Sequence, residues 1–494
     1  MKTDSSAAGT VEIQRASSGD PLLDSFLGGG FPRGSLIFVS GNPGTGKSTL
    51  CAEFVYHGSK VQKENGIYVS FSESKQSFFE NMSSVGLDFE SLEKEGHFRF
   101  LEMFSGTAHG MADIAKLIVA EIKRLEAKRL VIDSYSVMAQ AMGNQYEGRQ
   151  LLHTFFTKIT RNMGSTTLLI GEQPTGELRI GDASEEFVAD GVLNLKLTIP
   201  RELEIRKMRG TSLKKRDLLY TLDGGFRIVS TSVRAPVAAK RWQPIPDSND
   251  RLSTGSPDLD SILGGGFPRG TYLVLEVSND VTIGELRIFL RGLILNFIAQ
   301  KRGVVEIPGI GVDADDIVAA LSPYAAADDI NSFLRISQPV HASQPESRPR
   351  SLPPYVVPVP FGEGAHEEEE LAKNSDVFDT EEASLKARTG NKPILRVIAY
   401  DSLEASYARY PERLLNEMGS AMNRTKARGD LSIAIAKSSV TILPKIVGMA
   451  DLHIRFSMKD RVLLSQGVKP TTNVYAVDCD VSKGYPVMKL TILI

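Results

Sequence analysis

The residues Gly41–Thr49 read GNPGTGKST and have the types and spacing that hold phosphate groups. Glycines let backbone N–H groups turn inward on an anion, Lys47 adds a positive charge at the outer phosphates, and the Ser48 hydroxyl can bind Mg²⁺. An apolar run, SLIFVSG, precedes this loop, and a helical pattern follows it with its positive N-terminal end at the same point. We therefore expect ATP to be bound by Gly41, Asn42, Pro43, Gly44, Thr45, Gly46, Lys47, Ser48 and Thr49.

Two carboxylates at the ends of other strands are candidates for the chemistry of hydrolysis. Asp133 ends the strand in RLVIDS, where a carboxylate can hold Mg²⁺ through water beside Ser48. Glu73, in YVSFSES, follows another strand and is the candidate to position or activate water. The alternatives are a helix cap at Asp133 and a solvated loop carboxylate at Glu73. With Lys47, these two residues would form the catalytic set.

The segment before the phosphate loop occurs twice in the chain. RASSGDPLLDSFLGGGFPRG begins at Arg15 and RLSTGSPDLDSILGGGFPRG begins at Arg251, with a constant offset of 236 between identical positions. Such a match indicates a duplicated domain. At the same offset the second copy has Ile283 for Lys47, Gly284 for Ser48 and Glu285 for Thr49. It has lost the phosphate charge and the magnesium hydroxyl, so we expect ATP in the first copy only.

Apolar strands alternate with helical patterns in both copies, which is typical of a mostly parallel sheet covered by helices on both faces. The fold class is therefore α/β, with two tandem domains, the second degenerate. We predict a tail at 1–14, an ATPase domain at 15–232, a linker at 233–250 and a degenerate domain at 251–494. A Pro-rich and then acidic insert at about 337–392 has the composition of a disordered or loosely packed spacer.

Composition excludes several classes of protein. Net charge is −3, and 41% of the residues are hydrophobic, an ordinary globular balance that does not indicate nucleic acid or membrane binding. The two cysteines, Cys51 and Cys479, give neither a disulfide framework nor a metal-ligand spacing. No apolar run is long enough for a membrane span, and the first residues lack a signal-peptide pattern. We expect a cytoplasmic protein.

The motifs together resemble those of a known family. GGGFPRGSLIFVSGNPGTGKST, YVSFSES, LVIDS, EEFVADGVLNL and IRKMRGT are similar to the KaiC branch of the RecA/RadA ATPases. The tandem layout with a degenerate second half resembles the archaeal GvpD-type relatives, named after a regulator of gas-vesicle genes. The resemblance implies two RecA-like P-loop domains, ATP with Mg²⁺, and a homo-oligomer, usually a hexameric ring. It also implies that Lys207 and Arg209 contact the γ-phosphate of the neighbouring subunit.

One position departs from the family pattern. The family usually has paired acids after the YVSF strand, and here the pair reads Ser72-Glu73. Either Glu73 takes the role of the missing acid, or the site binds ATP and hydrolyses it very slowly.

Three functions remain open from the sequence. The first is a slow ATPase that acts as a nucleotide-dependent regulatory or signalling assembly with an unidentified protein partner. The second is a RecA/RadA-like DNA-handling ATPase, for which the basic segment RKMRGTSLKKR at 206–216 is the only local signal. The third is a non-hydrolysing ATP-binding scaffold or transcriptional regulator.

Overall fold

The computed structural model describes residues 13–103, 111–135, 159, 162–172, 189–232, 235–248, 250–341, 352–361 and 368–494. The chain divides into two α/β units, Met1–Val229 with Leu493–Ile494, and Ser230–Ile492. The domain limits given above stay predictions. Residues 235–248, within the predicted linker, pack on the second unit, where the Trp242 indole donates to Asn296 and lies tilted against the Tyr485 ring, with 4.8 Å between centroids.

The first unit is built on a nine-stranded sheet with the order β11-β10-β9-β8-β3-β7-β6-β4-β5. Strand β3 lies at its centre and pairs in parallel with β7 and β8, while β9, β10 and β11 continue the sheet antiparallel. A separate two-stranded sheet consists of β1 Arg15–Ala16 and β2 Phe31–Pro32. The strands of the nine-stranded sheet are β3 Leu36–Gly41, β4 Gly66–Ser70, β5 Phe98–Glu102, β6 Arg129–Asp133, β7 Thr166–Glu172, β8 Gly191–Lys196, β9 Glu202–Met208, β10 Asp217–Thr221 and β11 Arg227–Ile228.

Helices cover both faces of this sheet because β3 is apolar on both sides. Ile37 and Val39 pack into one core with α1 to α4, and Leu36 and Phe38 pack into another with α5. The helices are α1 Pro21–Phe26, α2 Lys47–Lys60, α3 Lys75–Ser84, α4 Phe89–Lys94 and α5 Met111–Leu125.

The second unit repeats this arrangement with one strand more. Its sheet has the order β17-β16-β15-β18-β19-β14-β20-β21-β22-β23, in which β14 takes the central place of β3. A separate two-stranded sheet consists of β12 Arg251–Leu252 and β13 Phe267–Pro268. The strands of the ten-stranded sheet are β14 Thr271–Val277, β15 Val304–Ile307, β16 Leu334–His341, β17 Val356–Phe361, β18 Leu395–Ala399, β19 Leu431–Lys437, β20 Leu452–Lys459, β21 Val462–Lys469, β22 Thr471–Asp480 and β23 Val487–Ile492. The predicted fold class is confirmed.

The helices of the second unit also lie on both faces of its sheet. They are α6 Pro257–Ile262, α7 Ile283–Ala299, α8 Ala314–Leu321, α9 Ala327–Phe333, α10 Glu368–Arg388, α11 Tyr400–Ser406, α12 Pro411–Arg428 and α13 Leu443–Met449. Helix α7 begins 236 residues after α2, and α6 begins 236 residues after α1, so the duplication predicted from the sequence holds for the starts of these helices. None of the helices in the described ranges is long and apolar enough to cross a bilayer.

The prediction that the insert is disordered or loosely packed is wrong for two of its segments. Residues Val356–Phe361 form β17, which pairs in parallel with β16, and Glu368–Arg388 form α10. Helix α10 is bound to the sheet by the buried Glu382 carboxylate, which accepts two hydrogen bonds from the buried Arg396 at 2.5 and 2.6 Å. Composition gave the wrong result because this bidentate ion pair and the buried Leu371 and Leu385 supply packing that a charge count does not measure.

Candidate functional site

The loop between β3 and α2 has a backbone that favours glycine at several places. Gly44 and Gly46 have φ of 78° and 85°, in the left-handed region. A Cβ on Gly41 would lie 2.5 Å from the Leu195 carbonyl oxygen, and one on Gly46 would lie 2.5 Å from the Leu222 side chain. The glycine spacing of the motif therefore reflects both backbone conformation and close packing, as a cradle for phosphate groups requires.

The side chains of the loop place a cation at its centre. Lys47 is the first residue of α2, and its ammonium group donates to the carbonyl oxygens of Gly41 at 2.8 Å and Asn42 at 3.0 Å. Thr45 is buried and donates through its hydroxyl to Asn42 O at 2.8 Å, which closes the turn. Asn42, Pro43 and Gly44 are exposed, and Ser48 and Thr49 are half-buried in the first turn of α2.

Ser48 and Asp133 come together as the sequence predicts. The Ser48 hydroxyl donates to Asp133 Oδ2 at 2.7 Å, and Asp133 is the last residue of β6. A hydroxyl and a carboxylate at this separation are oxygen ligands of the kind that Mg²⁺ prefers, and they lie at the edge of the sheet where the phosphate loop begins. The donor set therefore fits Mg²⁺ carried with a nucleotide.

Tyr68 also contacts Asp133, and this residue was not predicted from the sequence. Its hydroxyl donates to Asp133 Oδ2 at 2.7 Å from the middle of β4. Burial and the nearby Asp133 charge raise the pKa of Tyr68 well above its usual value, so the phenol stays a donor. The signal was present in NGIYVSF, because a tyrosine in a fully buried strand needs a partner for its hydroxyl.

Glu73 lies beyond β4, and its carboxylate is engaged by the next helix. Oε1 of Glu73 accepts hydrogen bonds from the Ser77 hydroxyl at 2.8 Å and from Asn81 Nδ2 at 2.6 Å, both on α3. The Glu73 N–H donates to the Ser70 hydroxyl at the end of β4. The neighbouring Ser72 is exposed. The role of Glu73 in hydrolysis stays a prediction.

Lys207 and Arg209 lie at the opposite end of the sheet from the phosphate loop of the same chain. Lys207 is paired with Val192, which in turn pairs with Phe38, three residues before Gly41. At about 3.3 Å per residue, the Lys207 backbone is about 10 Å along the strand from the start of the loop.

The side chains of Lys207 and Arg209 are both held at the end of the sheet away from the phosphate loop. The Lys207 ammonium donates to Ala189 O at 2.6 Å, just before β8, and Arg209 pairs with Asp190 at 3.0 Å. The structure therefore does not bring these cations to their own phosphate loop, and their action on a neighbouring subunit stays a prediction.

The matching loop of the second unit has become an ordinary helix start. Thr282 caps α7 by accepting from the Glu285 N–H at 3.3 Å, and Glu285 Oε2 accepts from the Thr282 N–H at 2.7 Å. Ile283, at the position of Lys47, is exposed. A carboxylate thus occupies the helix N-terminus that would otherwise receive a phosphate. Asp401, which resembles a surviving magnesium-side residue in sequence, lies in the first turn of α11 and accepts from the Ser402 N–H at 2.9 Å.

Two family models match different parts of the chain. The family model described as "ATPase: KaiC" matches residues 16–231, and the model "GvpD basic region 2" matches residues 241–494. Protein GvpD2 of Halobacterium salinarum is 24% identical, over 97% of this chain and 95% of its own length.

Other relatives match the first half mainly. The circadian clock oscillator protein KaiC of Thermostichus vulcanus is 30% identical over 54% of this chain, and the match spans 52% of KaiC. The crystal structure of a KaiC-like protein from Pyrococcus horikoshii is 32% identical, with 44% of this chain and 100% of that one covered and a TM-score of 0.39. The model "GvpD basic region 2" covers more than half of the residues of this chain. The chain therefore belongs to the GvpD family, with a KaiC-type ATPase domain as its first half.

Proposed function

We propose that this protein is a nucleotide-dependent regulator that binds ATP with Mg²⁺ in its first domain only. The observation that carries the proposal is the convergence of Lys47, Ser48 and Asp133 at one edge of the first sheet. The matched loop of the second unit has lost the lysine and the serine, and it places Glu285 at the helix start. A phosphate group would be attracted to the first loop and repelled by the second.

The first site has the groups that bind and polarise the phosphates, while the group that would activate water needs a rearrangement of Glu73. Lys47 would stabilise charge on the β- and γ-phosphates, and Ser48 with Asp133 would orient the metal that ATP carries. Glu73 would position water only after its carboxylate leaves Ser77 and Asn81, which hold it by two hydrogen bonds. That rearrangement, together with the missing acid at Ser72, is the reason to expect slow turnover.

The position of Lys207 and Arg209 supports a ring-like homo-oligomer. These cations lie at the end of the sheet away from their own phosphate loop, so each pair would complete the site of a neighbouring subunit. Supplying a cation in trans stabilises the charge of the transferring group and makes ATP binding depend on assembly. Nucleotide state would in this way control the assembly.

The second unit would serve as the surface that reads out this state. It keeps the whole α/β architecture while its phosphate loop has become a capped helix. A fold kept without its nucleotide site is suited to a scaffold or to binding a regulatory partner.

A non-hydrolysing scaffold is the second candidate. Ser72 and the hydrogen bonds of Glu73 favour it, because a site without an available base would keep ATP bound as a structural ligand.

ATP binding, ATP hydrolysis and mass in solution, measured with Mg²⁺ on the wild type, Lys47→Ala and Glu73→Gln, test the proposal. Loss of binding in Lys47→Ala and loss of turnover alone in Glu73→Gln support the slow ATPase. Tight binding without turnover in the wild type selects the scaffold. Wild-type protein that binds no ATP overturns the proposal.

A further inference from the structure

Two carbonyl groups of the phosphate loop accept hydrogen bonds from side chains outside the loop. Arg201 Nη1 donates to Gly44 O at 2.8 Å, and the Tyr220 hydroxyl donates to Thr45 O at 2.6 Å. Arg201 stands between β8 and β9, and Tyr220 lies in β10, so both reach the loop from the antiparallel side of the sheet. No local sequence motif indicates either residue.

These contacts act on the direction of the loop's N–H groups. In a planar peptide the carbonyl of one residue and the N–H of the next point in opposite directions. A donor that holds Thr45 O outward therefore turns the Gly46 N–H toward the inside of the loop. Donors outside an anion cradle in this way fix its inner surface before the anion arrives, which lowers the cost of ordering on binding.

Tyr220 is built into the fold as a fixed donor. Its side chain is fully buried, and its ring stacks on Phe226 at 4.9 Å between centroids. Burial raises the pKa of Tyr220 to about 12, so the hydroxyl keeps its proton at neutral pH. Leu222, on the same side, packs against Gly46 closely enough that a Cβ there would clash. Tyr220 and Leu222 thus form an outer wall of the loop.

The second unit has lost both donors together with the phosphate-binding residues. Val277 of β14 lies 236 positions after Gly41 of β3 and is its counterpart. Gly41 pairs with Leu195 of β8, and Val277 pairs with Phe456 of β20, so β20 corresponds to β8. The strand pairs that follow then place Leu463 at the position of Arg201 and Val477 at that of Tyr220.

Both replacements are buried apolar residues. The Val281 carbonyl, which corresponds to that of Thr45, instead accepts from Lys437 at 2.7 Å on the other side of β14. The two outer donors therefore accompany a loop that can hold phosphate and are absent from the copy that has lost its phosphate-binding residues.

We propose that Arg201 and Tyr220 are positioning residues that pre-form the phosphate loop by holding the Gly44 and Thr45 carbonyls outward. The role rests on the proposed binding of ATP by the first domain. Neither residue needs to touch the nucleotide.

Hydrogen exchange without nucleotide tests the proposal apart from ATP binding. The full-length Tyr220→Phe variant keeps the ring and its stacking and removes only the hydroxyl. The backbone amides of Gly44–Lys47 are expected to exchange faster in Tyr220→Phe and in Arg201→Met than in the wild type, with peptides of the second unit unchanged. Unchanged exchange in both variants overturns the proposal, whether or not the wild type binds ATP.

Nucleotide affinity provides the second readout. Loss of one neutral hydrogen bond corresponds to about a fivefold rise in the Kd of Tyr220→Phe for Mg²⁺-ATP. Tyr56→Phe is the matched control, because it also removes one tyrosine hydroxyl. That hydroxyl lies on α2, away from the phosphate loop, and accepts a hydrogen bond from Lys60 of the same helix at 2.6 Å. The control is expected to bind ATP as the wild type does.

The combined results separate the two proposals. Wild-type affinity in Tyr220→Phe overturns the positioning role and leaves ATP binding standing. Equal weakening in Tyr220→Phe and Tyr56→Phe assigns the effect to general loss of stability and also overturns it. Absence of ATP binding in the wild type overturns the proposed function itself.

Discussion

The Ser48 hydroxyl donates a hydrogen bond of 2.7 Å to Asp133, although 85 positions separate the two residues in the chain. The contact exists because β3 and β6 run parallel on either side of β7 in one sheet, and their carboxyl ends meet at the same edge. Parallel α/β sheets bind ligands at this edge. The pair therefore joins the first turn of α2 to the last residue of β6, the carboxylate that we propose faces Mg²⁺.

Asp133→Asn is expected to remove the Mg²⁺-dependent part of ATP affinity. The amide oxygen still accepts from Ser48 and Tyr68, so the fold is kept, while the negative charge that attracts the cation is lost. We expect Kd for ATP with Mg²⁺ to rise about tenfold and Kd without Mg²⁺ to stay unchanged. Titrations of Asp133→Asn and of Asp113→Asn, an exposed residue of α5, with and without Mg²⁺ check this. A uniform loss under both conditions would contradict the metal role.

Mixing two defective variants tests the action of Arg209 on a neighbouring subunit. Lys47→Ala removes the phosphate loop's cation, and Arg209→Ala removes the cation proposed to act in trans. Each alone is expected to lack the tight nucleotide site. An equal mixture should recover tight sites on about a quarter of the subunits, because random assembly joins an intact loop to an intact Arg209 in that share of interfaces. A mixture no better than its components would show that the two residues do not meet.

Ser72→Glu is expected to raise the rate of ATP hydrolysis. The substitution restores an acid at the exposed position beside Glu73, whose own carboxylate is held by Ser77 and Asn81. A positioned general base raises turnover by at least about tenfold. Gln76→Glu, which adds the same charge at an exposed site of α3, is the control and should leave the rate unchanged. An equal rate in Ser72→Glu and the wild type would place the rate limit outside the base.

Glu306→Gln is expected to stabilise the second unit above pH 7. Burial in β15 raises the pKa of Glu306 to about 7 from an ordinary 4.5, and its Oε2 has no hydrogen-bond partner. The folded state therefore binds the proton more tightly than the unfolded state. Its contribution is fully favourable below pH 4.5 and declines as the pH rises to about 7.

The neutral amide does not carry this pH dependence. Thermal unfolding between pH 5 and 8 should show the Tm of the wild type falling relative to Glu306→Gln, with the gap levelling off above pH 7. Glu412→Gln, on an exposed turn of α12, is the control and should parallel the wild type. A gap that stays constant over this pH range would contradict the titration of Glu306.

The phosphate loop, its flanking strand and helix, and the Ser48–Asp133 pair could be predicted because local spacing and strand polarity determine them. The contacts of Glu73 with Ser77 and Asn81 could not, since they depend on the side-chain direction in a loop. The prediction of a disordered insert was wrong for another reason. The insert's proline and acid content indicated a spacer, while the ion pair of Glu382 with Arg396 and the pairing of β17 on β16 order the described segments Val356–Phe361 and Glu368–Arg388. Such long-range partners leave no periodic signal in the sequence.

The most direct test of the central claim is the number of nucleotides bound per chain. Wild-type protein, Lys47→Ala and Ile283→Ala, which alters the matched position of the second unit, are equilibrated with labelled ATP and Mg²⁺ and counted. The account predicts one ATP per chain in the wild type and in Ile283→Ala, and none in Lys47→Ala. Two nucleotides per wild-type chain, or one retained in Lys47→Ala, would contradict it.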